Sequence, residues 1–260
     1  MILGRAEDGA TLGHALADAA HLLLQGQNGS GKSVMSYGLI GQAAHARDVI
    51  VAGCDITGLL LGRPFEGTRH RAWQAAGTAD LEAHAVILER LVGDMDRRLT
   101  DMPLGVDKLT PTPDRPLMFV VMEEWPGLLR AAGSLPKPPR GDRSILDRIK
   151  SANLRLLSEG RKAAFRVLTL AQRAEAEAVG GGYARDQYAL AISFRVPSES
   201  LVMAHGEDAR EHGARHRFAE PGIALISAPG RPLTRMRAPY VGEYPEYCRR
   251  VAGVEGRRAA

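Results

Sequence analysis

Apolar residues fall along this chain in two alternating patterns. Short continuous runs, bounded by polar or glycine-rich segments, read as strands buried on both faces. They are His21–Leu24, Asp48–Cys54, Leu117–Met122, Phe165–Leu170 and Tyr188–Val196. Between them, apolar residues recur at spacings of three and four, as along one face of a helix. Leu81, Ala85, Leu88, Val92, Met95 and Leu99 form such a stripe within 78–99. Ile145, Ile149 and Leu156 form another within 144–159, which Ser144 is suited to cap. Further helices are expected from Val34 to about Ala46 and from Ser198. An opening strand with a turn at Asp8-Gly9, and a closing hairpin around Pro229-Gly230, complete the pattern. Residues 56–77 and 175–185 are expected to be loops, and Thr110–Pro116 and Gly133–Gly141 to be breaks. Strands alternating with helices predict an α/β domain with a mainly parallel central sheet flanked by helices. Residues 1–250 are expected to form one domain and 251–260 a flexible tail.

The junction after the first buried run carries chemistry. Gly26-Gln27-Asn28-Gly29-Ser30-Gly31-Lys32-Ser33-Val34 fits the phosphate-binding pattern G-x-x-x-x-G-K-[ST]. It stands between an expected strand and an expected helix, as that chemistry requires. Glycines let backbone N–H groups turn inward around phosphate oxygens, and a helix N-terminus adds partial positive charge. Lys32 is then the residue that reaches the β- and γ-phosphates of ATP, and the Ser33 hydroxyl is a Mg²⁺ ligand. Hydrolysis also needs carboxylates. Glu123-Glu124 ends the run Leu117–Met122, and ligands of open α/β sheets sit at the carboxyl ends of strands. One carboxylate is suited to hold a magnesium-bound water and the other to polarise the attacking water. Asp55 and Gln172 also close strands, as a phosphate sensor or as ordinary polar strand ends.

Composition narrows the setting. Apolar residues make up 45% and charged residues 25% of 260, ordinary for a soluble globular protein. No run approaches a membrane span and the first residues lack a signal-peptide pattern. Cys54 and Cys248 make no metal or redox motif, so a reduced, cytoplasmic setting is expected. The net charge of +4 is uneven: residues 1–130 carry 12 Lys+Arg against 16 Asp+Glu, leaving 22 against 14 for residues 131–260. The basic half suits either a polyanion or a solvated surface. Lysine is scarce beside arginine, which makes Lys32 the more notable, since a flexible point charge suits a phosphate.

Four segments together resemble the motor domain of the FtsK/SpoIIIE family of DNA translocases. His21-Leu22-Leu23-Leu24-Gln25-Gly26 through Lys32-Ser33-Val34 is similar to the family's H-L-L-V-A-G-x-x-G-S-G-K-S-V. Met95-Asp96-Arg97-Arg98 is similar to M-E-R-R, and Phe119–Glu124 to the Walker B strand. Gly160–Phe165 through Ala171-Gln172-Arg173 is similar to A-R-A-A-G-I-H-L-x-L-A-T-Q-R, the most specific of the four. The resemblance covers nearly the whole chain. It implies a RecA-like P-loop NTPase fold and an ATP- and Mg²⁺-dependent motor on double-stranded DNA, working as a homo-oligomeric ring, a hexamer. Arg161 matches the arginine finger that acts on ATP held by a neighbouring subunit, and Gln172 matches the γ-phosphate sensor. The sequence departs from the family in reading Glu123-Glu124 where Asp-Glu is usual. The extra methylene displaces the carboxylate by more than about 1 Å unless the backbone adjusts, so either Glu123 still reaches the metal water or turnover is slow. The chromosomal proteins' membrane anchor and DNA-reading winged helix find no match, so a stripped-down motor of a plasmid, mobile element or phage is expected. Basic residues in the loops after the Walker B and sensor strands, Lys137, Arg140, Arg143 and Arg185, are candidates for sequence-independent phosphate contacts. Two other readings stand beside this one: a secretion-type ATPase with a protein substrate, and a nucleotide-binding assembly protein with weak hydrolysis.

Overall fold

The computed structural model describes residues 1–18, 21–174 and 181–253. Its centre is a parallel set of strands: β3 (Leu22–Gln25), β4 (Val49–Asp55), β5 (Gln74–Ala76), β6 (Leu117–Glu123), β7 (Phe165–Ala171) and β8 (Leu190–Ser193). An antiparallel flank continues the sheet through β9 (Ile223–Ala228), β10 (Arg231–Arg237), β1 (Ile2–Ala6) and β2 (Thr11–Gly13). The strand order is β2-β1-β10-β9-β8-β3-β7-β6-β4-β5. The mainly parallel α/β sheet expected from the sequence is therefore present, with the expected closing hairpin as its antiparallel extension.

Alternation within the buried strands builds two cores. Leu117, Phe119 and Val121 of β6 face one layer, with α1 (Lys32–His45) and α8 (Tyr244–Ala252). Met118, Val120 and Met122 face the other, with α2 (Leu81–Thr100), α3 (Trp125–Gly133) and α4 (Ile145–Glu159). Short helices α5 (Gly182–Arg185), α6 (Ser198–His205) and α7 (Arg210–His216) precede the antiparallel flank. The Ser144 hydroxyl caps α4 by accepting from the Asp147 backbone N–H, as the sequence predicts.

Several expectations shift. The strand expected over Tyr188–Val196 is confined to Leu190–Ser193. The loop expected over 56–77 holds two 3₁₀ turns and β5. Helices α3, α7 and α8 fall in segments to which the sequence pattern assigned no element. Helix α8 runs to Ala252, two residues into the expected tail, and 254–260 lie outside the described residues.

The M-E-R-R-like segment has a structural use. Arg98, 9% exposed, pairs with Asp94 at 2.8 Å and donates to the carbonyls of Pro116 and Ala163. It thereby clasps α2 to the starts of β6 and β7. Asp96 pairs with Arg155 of α4, and Arg148 of α4 reaches Glu82 and Glu89 of α2.

Candidate nucleotide-binding site

Strand β3 is the middle of the sheet, paired with β7 on one side and β8 on the other. Its carboxyl end is fastened to both neighbours. Gly26 N–H donates to the Ala171 carbonyl and Gln27 N–H to that of Arg195. Below them lies Gln25, fully buried. Its Oε1 accepts from Ala174 N–H at 2.7 Å, and its Nε2 donates to Ser193 Oγ and the Ser200 carbonyl. A buried amide with all these groups matched holds the root of the loop against the segment after β7 and against α6. Nothing in the motif pattern pointed to it.

The loop itself turns at Gly31, whose φ of 106° lies in the left-handed region. A Cβ there would also stand 2.8 Å from the Gly222 nitrogen. Helix α1 begins at Lys32, so its first N–H groups face the loop. Gln27, Asn28, Gly29, Gly31, Lys32, Ser33, Val34, Glu123 and Glu124 line one cavity of about 810 Å³. Gly26 and Ser30 support it from behind, with Ser30 buried and its carbonyl accepting from Gly222 N–H. The rest of the lining, which the sequence did not reveal, comes from Pro221, Gly222, Arg237, Ala238, Pro239, Tyr240 and Glu243. The one available signal was aromatic clustering: Tyr240, Tyr244 and Tyr247 are three of only six tyrosines.

The carboxylates differ in setting. Glu123 ends β6 directly opposite Asp55 of β4. Burial, then the Asp55 carboxylate and Glu124, pushes its pKa up to about 8, with Lys32 opposing. Its carboxylate lies within hydrogen-bond reach of the Asp55 carboxylate, and the Thr57 hydroxyl donates to it over a long 3.5 Å. Glu124 caps α3 from the left-handed region, φ 42°, a conformation that costs a non-glycine residue about 1 kcal/mol or more. That twist turns the chain from strand to helix beside the cavity. A smaller cavity of about 140 Å³ joins Lys32, Ser33, Thr57 and Glu123. Hydroxyl and carboxylate oxygens are the hard donors Mg²⁺ takes, and a crowded acidic cluster is one a dication would relieve. Ser33 and Glu123 therefore fit the ion, which would neutralise phosphate charge.

Asp55, which the sequence left open as a sensor, is a structural hub. Fully buried, its carboxylate accepts from the N–H groups of Thr57, Gly58, Leu60 and Leu61 and from the Thr57 hydroxyl. Gln172 is exposed, one residue past Ala171, the partner of Gln25 in the β3–β7 register, and is not among the cavity residues.

Arg161 lies elsewhere. It is exposed in the turn that enters β7, whereas Gln172 follows the other end. The seven residues of β7 span roughly 20 Å, so Arg161 and its own phosphate loop occupy opposite ends of the sheet. The turn is tight: a Cβ on Gly160 would stand 2.3 Å from the Leu156 carbonyl oxygen. Buried Arg166 secures it by donating to the Arg161 and Phe165 carbonyls. Lys137, Arg140 and Arg143 are exposed between α3 and α4, where Arg143 donates to the Asp147 carbonyl. Arg185 of α5 lies 3.9 Å from Asp186, and residues 175–180 of its loop are outside the described residues.

A glycine-rich loop between a central parallel strand and a helix, with acidic residues at a neighbouring strand end, defines a P-loop NTPase domain. The sequence is 29% identical over 220 residues to the protein Tra of Streptomyces lividans, 79% of this chain and 33% of that protein. The chain thus spans about a third of the length of the curated relative it matches. Its fold is similar to that of the pCW3 conjugation coupling protein TcpA with ATPγS: TM-score 0.73, 16% identity, covering 98% of this chain and 70% of that one. It is also similar to the cytoplasmic domain of the type VII secretion ATPase EccC of Thermomonospora curvata: TM-score 0.67, 20% identity, 97% and 31%. No family model matches the sequence. The resemblance to FtsK/SpoIIIE motors drawn from the four segments is borne out. No helix among the described residues is long and apolar enough to cross a membrane.

Proposed function

We propose that this chain is an ATPase motor that moves double-stranded DNA, working as a homo-oligomeric, hexameric ring with ATP and Mg²⁺. The observation that carries the reading is the convergence of the phosphate loop, Lys32, Ser33, Glu123 and Glu124 on one cavity. Lys32 and the loop N–H groups hold the phosphates, Glu123 with Ser33 serves the metal, and Glu124 polarises the attacking water. Gln172 senses the γ-phosphate. Arg161 completes the site of a neighbouring subunit, a role supported by its distance from its own loop. Lys137, Arg140, Arg143 and Arg185 contact DNA phosphates. The similarities to Tra and to a conjugation coupling protein support DNA as the cargo. The similarity to a type VII secretion ATPase supports a second reading, a protein cargo.

ATP turnover measured with and without duplex DNA over a salt series separates these readings. Stimulation by DNA that fades as salt rises supports the DNA motor. Turnover indifferent to DNA would sink it and favour the protein cargo, whereas binding without turnover leaves only an assembly role. Lys32→Ala should abolish turnover. Arg161→Ala should lower turnover by about 10³-fold or more while nucleotide binding persists. Mixing the two variants should restore activity at interfaces where an intact loop meets an intact arginine; no restoration would refute catalysis shared between subunits.

A further inference from the structure

The phosphate loop shares its cavity with residues of the strap from β10 to α8. We propose that Tyr240, on that strap, is the stacking platform for the base of the bound nucleoside triphosphate. This rests on the nucleotide reading above and extends it from the phosphates to the base.

Tyr240 is 71% exposed, yet its position is held from several directions. Its hydroxyl donates to Glu243 Oε1 at 2.9 Å, which fixes the edge of the ring and leaves its faces uncommitted. No aromatic ring stacks on it among the described residues, and Pro239 beside it stiffens the backbone. The strap is anchored at both ends. Ala238 N–H donates to the Gly222 carbonyl, and Gly222 N–H donates to that of Ser30 in the phosphate loop. After Tyr240, Val241 packs on α1 at Gly38, and α8 follows. Helix α8 is locked onto α1 by Tyr247, which stacks on Tyr37 at 4.7 Å and donates to the Leu60 carbonyl. Tyr244 adds a tilted contact with Tyr37. The same helix that begins at Lys32 therefore carries the support of Tyr240. Phosphate cradle and aromatic ring are thus tied through the same packed elements and line one cavity.

An aromatic face that water otherwise covers, in the same cavity as a phosphate cradle, is a surface a base recognises. Stacking gains from the π-face and from displaced water, and every base offers such a face. The preformed strap removes the cost of ordering the ring on binding.

Calorimetric titration of the full chain with ATP and with inorganic tripolyphosphate, both with Mg²⁺, tests this. Tripolyphosphate reports the cradle alone, and ATP reports the cradle plus base. Tyr240→Ala should weaken ATP binding roughly tenfold and leave tripolyphosphate affinity unchanged. Tyr240→Phe, which keeps the ring, should retain wild-type affinity for ATP. The inference is overturned if Tyr240→Ala binds ATP as the wild type does, or if both ligands weaken equally, which would make the residue a support of the cradle. If the wild type binds neither ligand, or binds them regardless of Lys32→Ala, the nucleotide reading itself fails and takes this inference with it.

Discussion

Asp55 and Glu123 stand opposite each other at the ends of two paired strands, with similar side chains and opposite circumstances. The loop after β4 folds back over Asp55 and presents it with four backbone N–H groups and a hydroxyl. The chain after β6 turns at once into a helix through the left-handed Glu124 and presents Glu123 with almost nothing. The first carboxylate is saturated by donors. The second is raised to about 8 by burial and by the first. A strand-end acid is thus structural when the following loop saturates it. It is available to a metal or a water when the loop leaves it underbonded beside a phosphate cradle.

Removing each acid should break the pair in a different way. The largest effect is expected for Asp55→Ala, which orphans several buried donors. Denaturant unfolding should show a loss of about 3–5 kcal/mol, and a loss below 1 kcal/mol would mean that the loop does not depend on Asp55. Next comes Glu123→Gln. Turnover should fall about 10²-fold or more while stability stays level or rises, because an acid crowded by another acid has been neutralised. If it unfolds the protein as Asp55→Ala does, the two acids are not different in kind. Glu123→Asp restores the residue usual in the resembling family but retracts the carboxylate within this backbone. Steady-state kinetics should show about a tenfold slower turnover, and a faster one would mean that the site is built for aspartate. The smallest effect belongs to Thr57→Val, which removes the hydroxyl lying between the two carboxylates. It should cost about 1 kcal/mol in thermal or denaturant unfolding, since the Thr57 N–H still reaches Asp55.

Much of this arrangement was legible in the chain, but unevenly. Strands β3, β4, β6 and β7 announced themselves because strands buried on both faces must be continuously apolar. Helices α2 and α4 did so because an amphipathic stripe has a period. The phosphate loop was readable because its chemistry needs glycines at fixed positions. Helix α3 was hidden behind Glu123-Glu124, where strand and helix meet without a spacer. Helix α8 was hidden because its helical packing depends on Tyr37, two hundred residues earlier in the chain. Asp55 and Gln172 read alike as polar strand ends; only the returning loop distinguished the first. Gln25 carried no signal, because its three partners come from three separate segments.

By itself the sequence determined that an α/β sheet forms, that a phosphate cradle ends its central strand, and that a pair of acids ends another. These follow from local requirements, since periodicity, glycine geometry and residue type act over a few positions. The tertiary structure decided which acid is left free, since donors arrive from a loop whose path depends on the packing around it. It decided that Arg161 stands at the far end of the sheet from its own loop, because strand length and direction set that separation. It also decided that the C-terminal strap lines the nucleotide cavity, since the docking of α8 on α1 brings Tyr240 to the cavity that Lys32 lines.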